Sequence, residues 1–140
     1  MAISRRQLFV VGTSALLCSS IKITEAKASK GDEEISKLTG GAPVTVGGVK
    51  LTTPEIAENG NRVSIEVSAP GAEMITLIAM GNPQPRVVSF EFGTLAGSSS
   101  GTTRIRLMKT QEVIAIAKMK DGSFKKASNT VKVTIGGCGG

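Results

Sequence analysis

The chain has 140 residues, about one domain's worth, with 17 cations, 11 carboxylates and a formal net charge of +6. It contains no histidine, tryptophan or tyrosine and only four phenylalanines. Without imidazole, His-based triads and most zinc sites are excluded, so neither a metal nor another cofactor is expected.

The first residues read "SRRQLFVVGTSALLCSS", an arginine pair followed by an apolar run of about a dozen residues, and the segment ends in "AKA" at Ala26–Ala28. A bilayer needs roughly 20 apolar residues to span it, so this is expected to be an export signal over residues 1–28 rather than an anchor. Arg5 and Arg6, with Leu8 and Phe9 behind them, resemble a twin-arginine signal, the kind used for proteins exported already folded or already carrying a partner. Four of the cations, Arg5, Arg6, Lys22 and Lys27, lie in this segment. From Ser29 onward thirteen cations face ten carboxylates; they are dispersed, with no aromatics stacked between them, which argues against nucleic acid.

Residues 29–43 form the next unit. In "SKGDEEISKLT" the acids come early, a lysine comes late, and Ile35 and Leu38 lie three apart before Gly40-Gly41. This predicts a short helix stopped by glycine.

From residue 44 to residue 135 the period changes to two. Val63, Ile65 and Val67 alternate with polar residues, as do Ile105 and Leu107, and Val131, Val133 and Ile135. Further strands are expected at "VTV" and "VKL" either side of Gly47-Gly48, at "MITLIAM", at "VVSFEF" and at "EVIAIAKM". Asn59-Gly60, Pro70-Gly71, "GNPQP", the "GSSSG" of Gly97–Gly101 and the hairpin signal Asp121-Gly122 separate them. About seven short strands with one apolar face each predict an all-β, immunoglobulin-like antiparallel β-sandwich with a short N-terminal helix.

The last five residues, Gly136, Gly137, Cys138, Gly139 and Gly140, are expected to form a flexible arm. Three residues of extended chain place the cysteine roughly 10 Å beyond Ile135. Glycine carries no Cβ, so such a tip is slim enough to enter a narrow channel. With the leader removed, Cys18 goes with it and Cys138 is the sole remaining thiol, and an unpaired cysteine in an exported protein points to a used thiol or to intermolecular pairing. No adjacent histidine, lysine or helix start activates it, so activation falls to whichever enzyme receives it.

The segments "LTTPEIAENGNRV", "NPQPRVVSFEF", "TRIRL", "VIAIAKMKDGSF" and above all "VKVTIGGCGG" resemble the SoxY family, the sulfur-binding subunits of the SoxYZ carrier of periplasmic sulfur oxidation. The resemblance implies a covalent carrier that catalyses nothing, with intermediates of thiosulfate oxidation held on Cys138. It also implies a SoxZ-like subunit as heterodimer partner and transient contacts with a c-type cytochrome sulfur transferase, a sulfate thiol hydrolase and, in some organisms, a sulfane dehydrogenase. It places the protein in the periplasm, with no nucleic acid and, after leader cleavage, no membrane among its partners. Two other classes share features with the chain: an exported structural or assembly β-sandwich with an incidental cysteine, and a sulfur carrier using a thiocarboxylate at the terminal Gly139-Gly140.

Overall fold

The computed structural model describes residues 28–135, comprising one helix and nine strands. The expected leader with Arg5, Arg6 and Cys18, and the segment with Gly136, Gly137, Cys138, Gly139 and Gly140, lie outside the described residues.

Helix α1 (Lys30–Thr39) starts and stops where its sequence directs. The Ser29 hydroxyl accepts from the Asp32 amide at 3.2 Å while the Asp32 carboxylate accepts from the Ser29 amide at 3.0 Å, a reciprocal cap that satisfies two amide donors at the helix start. Gly40 closes the other end at φ 63°, a left-handed conformation suited to glycine, with its amide on the Ser36 carbonyl.

The strands are β1 (Val44–Val46), β2 (Lys50–Thr52), β3 (Ile56–Asn59), β4 (Val63–Ser68), β5 (Ala72–Ala79), β6 (Arg86–Glu91), β7 (Ser100–Ile105), β8 (Gln111–Met119) and β9 (Phe124–Ile135). They form two sheets. The larger runs β1-β9-β8-β5-β6 with β3 also on β9, and the smaller runs β2-β4-β7. Their inner faces meet in an aliphatic core: Val63, Ile65, Val67, Ile105 and Leu107 come from the small-sheet side, and Ile75, Leu77, Val113 and Val131 from the large one.

The runs "MITLIAM" and "EVIAIAKM" lack polar alternation because β5 and β8 are covered on both faces. On the outer side Ile78, Ile114, Ile116 and Phe124 pack beneath Ile35 and Leu38 of α1, Ala42, Val44 and Met80. Gly31 lies so close to the Met80 sulfur that a Cβ there would collide with it, which is how the helix seats low on the sheet.

The sandwich is all-β as expected, with nine strands rather than about seven and with two of its pairings parallel. The first half of β9 pairs in parallel with β1 (Val44 opposite Phe124), and its second half pairs in parallel with β3 (Ile56 opposite Lys132, Asn59 opposite Ile135). Between them the chain leaves for the small sheet as β2, turning at Gly47 and Gly48, whose φ values of 108° and 72° are favoured by glycine. The Asn129 side-chain amide donates to the Leu51 carbonyl at 2.9 Å and ties this crossing to β9.

The expected turn over Gly97–Gly101 ends earlier than its composition suggested, because Ser100 and Gly101 already pair with Ser68 and Val67. Gly101 occurs in a strand for a steric reason: an added Cβ would lie 2.7 to 2.9 Å from three atoms of the Phe90 ring on the opposite sheet. Gly101→Ala is therefore expected to destabilise the fold by about 1–3 kcal/mol through overpacking. The shift in urea midpoint at unchanged m-value measures it.

Candidate functional site

Strand directions determine which loops surround the point where β9 ends. β3 runs with β9 and ends beside it; β8 is antiparallel to β9 and begins there, with Gln111 opposite Val131. β5 ends at the same side because Ala79 faces Val113, and β4 begins and β7 ends there because Val63 faces Ile105. Residues 59–62, 80–85 and 106–110 thus form the end of the sandwich from which the chain proceeds toward Cys138.

The last turns of β9 are fixed by side chains as well as by the ladder. The Val133 amide donates to the Thr110 hydroxyl at 2.9 Å, and the Thr134 hydroxyl donates to the Glu58 carbonyl at 3.1 Å. The Lys132 amide donates to the Glu55 carbonyl at 2.9 Å. The strand is therefore anchored on both edges to within a residue or two of its end.

Next to this anchor lies a polar network. The Asn61 amide donates to the Asn59 side-chain oxygen at 2.9 Å, closing the turn after β3. The Asn61 side-chain oxygen in turn accepts from Arg106 Nε at 3.1 Å and Nη2 at 2.9 Å. The Asn82 side-chain amide donates to the Arg106 carbonyl at 2.8 Å, and its oxygen accepts from the Met108 amide at 3.2 Å and Gln111 Nε2 at 2.9 Å. Gln111, only 7% exposed, accepts from the Gly81 amide at 2.8 Å. Three loops from both sheets are thereby bound into one platform.

Arg62, Arg86, Arg106 and Lys109 are exposed around this end, alongside the carboxylates of Glu58 and Glu112. Among the described residues, ion pairs form between Lys37 and Glu34 at 2.8 Å and between Lys118 and Glu73 at 3.6 Å, and none involves these end-face groups. The Glu34 carboxylate raises the Lys37 pKa by accepting its hydrogen bond. At the opposite end, the Ser123 hydroxyl and amide hold the Asp121 carboxyl below its ordinary range. Among the described residues no group of three or more His, Cys, Asp or Glu side chains could hold a metal ion.

The expected site residues Cys138, Gly136, Gly137, Gly139 and Gly140, and the Arg5-Arg6 pair, lie outside the described residues. Asn59-Gly60 and "NPQP" are expected turns, and Arg104 and Arg106 stand two apart in sequence, the spacing of one strand face. The two arginines differ. Arg104 lies within β7 opposite Ser64, whereas Arg106 has passed the strand end and is held by Asn61. Asn61, Asn82, Thr110 and Gln111 were missed, and the signal that could have found them is the asparagine in each of two loops that topology brings together.

The architecture is that of a small two-sheet β-sandwich whose last strand is anchored beside a basic, loop-built end face. A family model, "Sulfur oxidation protein SoxY", matches residues 35–138. The chain belongs to the SoxY family of sulfur oxidation proteins. Among solved structures it is similar to the sulfur carrier protein SoxY from Chlorobium limicola f thiosulfatophilum, at 31% identity and a TM-score of 0.65, covering 74% of this chain and 96% of that one. It is also similar to the superoxide reductase (neelaredoxin) from Ignicoccus hospitalis, at 19% identity and a TM-score of 0.54, covering 62% of this chain and 80% of that one. A likeness of that degree shows a shared fold alone. A search of curated proteins gives no match.

Thr110→Val removes the acceptor for the Val133 amide and leaves that donor at the strand edge without its partner. The expected result is a loss of about 1 kcal/mol in stability. It should come with faster hydrogen exchange concentrated at Val133 and its neighbours and little change in β5 or β8.

Proposed function

We propose that the chain is an exported covalent sulfur carrier, which holds intermediates of thiosulfate and reduced-sulfur oxidation on the thiol of Cys138 and presents them to successive enzymes. The observation that carries this reading is the family match, which runs through residue 138 and so takes in the cysteine itself. The likeness to a SoxY described as a sulfur carrier protein supports it further.

The chemistry is consistent with the residues present. A thiolate is the nucleophile that joins to sulfur, and with no histidine anywhere in the sequence the chain offers no ordinary base to activate it near neutral pH. Activation therefore belongs to the enzymes that load and unload the carrier, and the chain itself is not a catalyst. Gly136 and Gly137 before the thiol and Gly139 and Gly140 after it keep its flanks free of side chains that would obstruct entry into several different active sites.

The proposed partners follow from the family. A SoxZ-like subunit would form the heterodimer. A c-type cytochrome sulfur transferase, a sulfate thiol hydrolase and a sulfane dehydrogenase would be met in turn. Arg5, Arg6 and the apolar run behind them support export to the periplasm by a twin-arginine route, which accommodates a carrier folded together with its partner.

Cys138→Ser, introduced in the native host, is expected to abolish sulfate production from thiosulfate while leaving the exported amount and melting temperature of the protein unchanged. Retained sulfate production would overturn the carrier reading and favour a structural role.

A further inference from the structure

The sequence holds four asparagines, Asn59, Asn61, Asn82 and Asn129, and each is followed by a different residue. An asparagine loses its side-chain amide when the backbone nitrogen of the next residue attacks its Cγ, so that next residue decides whether the attack is possible. Pro83 has no N–H to give up, which protects Asn82. Asn129 lies inside β9 with the β-branched Thr130 after it, its backbone paired to β8 and its side-chain amide on the Leu51 carbonyl. Asn61 precedes Arg62, and its side-chain oxygen is occupied by the Arg106 guanidinium. Asn59 precedes glycine, whose nitrogen no Cβ shields.

The turn adds geometry to composition. Asn59 is exposed, at the last position of β3. Its Oδ1 accepts from the Asn61 amide at 2.9 Å, a bond that folds the side chain back over its own backbone and closes a ring containing the Gly60 nitrogen. The peptide unit supplying this donor is itself fixed, because the Gly60 carbonyl accepts from the Leu107 amide at 2.7 Å. Attack on Cγ turns Oδ1 into an oxyanion, and a backbone N–H already aimed at that oxygen stabilises it. Among the described residues the Gly60 amide donates to no backbone acceptor, so its nitrogen gives up no such bond on reacting. The exposed cations Arg62 and Arg106 on this end favour loss of the amide proton, and the Glu58 carboxylate opposes it.

We propose that Asn59-Gly60 is a self-modifying site, at which the turn after β3 converts itself to aspartate and isoaspartate. Hydroxide takes the Gly60 amide proton and the nitrogen bonds to Asn59 Cγ. The bond from Cγ to the side-chain nitrogen breaks, and that nitrogen leaves as ammonia with a proton from water. Water then opens the cyclic imide at either carbonyl. Opening at one leaves aspartate; opening at the other leaves the main chain running through the former side chain, one carbon longer. No oxidant or enzyme is consumed. Either product adds a carboxylate to an end face whose exposed cations include Arg62 and Arg106. Isoaspartate also turns the oxygen that holds Asn61 into a main-chain carbonyl, which loosens the residue gripping the Arg106 guanidinium, and it lengthens the chain where Asn59 pairs with Ile135. Nothing in this step draws on the proposed carrier role.

The test ages the full chain, kept reduced, at neutral and at mildly alkaline pH, both folded and in guanidinium chloride. Peptide mass spectrometry reads the exchange of NH2 for OH, and an isoaspartate-specific carboxyl methyltransferase with S-adenosylmethionine reads isoaspartate by methyl uptake. Conversion is expected at Asn59 in the folded protein, at least as fast as in denaturant and rising with hydroxide concentration, with Asn61, Asn82 and Asn129 unchanged over the same period. Gly60→Ala should slow it several-fold. Because Gly60 is buried, that variant is also compared in denaturant, where folding plays no part and the same slowing is expected. In the converted protein the Arg106 Nε–H resonance, assigned by its loss in Arg106→Gln, should move.

A folded chain that converts more slowly than the denatured one would overturn the proposal, as would equal conversion at Asn61 or Asn129. An unmoved Arg106 resonance after complete conversion would overturn the link from Asn59 to the guanidinium.

Discussion

Strand β9 is held by main-chain pairing on both of its sides, antiparallel to β8 and parallel first to β1 and then to β3, and the rest of the molecule is arranged around that bracing. An edge strand would fray over its last residues. Here Lys132, Val133 and Thr134 each have a partner outside β8, so the strand stays anchored close to Ile135. β1 doubles the β8 pairing over Phe124–Lys126 and β3 takes over at Lys132, where the β8 ladder has ended at Val131, so β9 keeps a strand partner to its end; the intervening β2 staples the two sheets together.

For the proposed carrier role this matters because a thiol that is to enter several active sites needs a stable body to be delivered from. The aliphatic core and the helix covering the large sheet supply that body. The parallel run of β3 beside β9 then fixes which loops surround the departure point. Asn61, Arg106, Asn82 and Gln111 tie those loops into one surface at the end where β9 finishes.

Much of the fold was legible in the residues because the signals were local. Ser29, Asp32 and Gly40 set the helix limits through caps, and the alternation of Val63, Ile65 and Val67 marked a strand with one wet face. Less local features escaped. "IAEN" has too few apolar residues to announce β3, and "FKKASN" is too polar to announce the first half of β9, which is a strand because β1 and β8 hold its backbone. Gly101 looked like turn composition until Phe90 on the other sheet explained it. The cysteine was visible from sequence because its neighbours are glycines. The end-face platform was not, because Asn61 and Asn82 acquire meaning only when topology brings their loops together.

The central claim is that Cys138 holds sulfur-pathway intermediates covalently. Mass spectrometry of the protein isolated from thiosulfate-fed cells tests it most directly. The peptide containing Cys138 is expected to carry added masses matching sulfane sulfur and a thiosulfonate group, released by reducing agent. That peptide recovered only as free thiol or as a disulfide between two chains, while the cells oxidise thiosulfate, would contradict it.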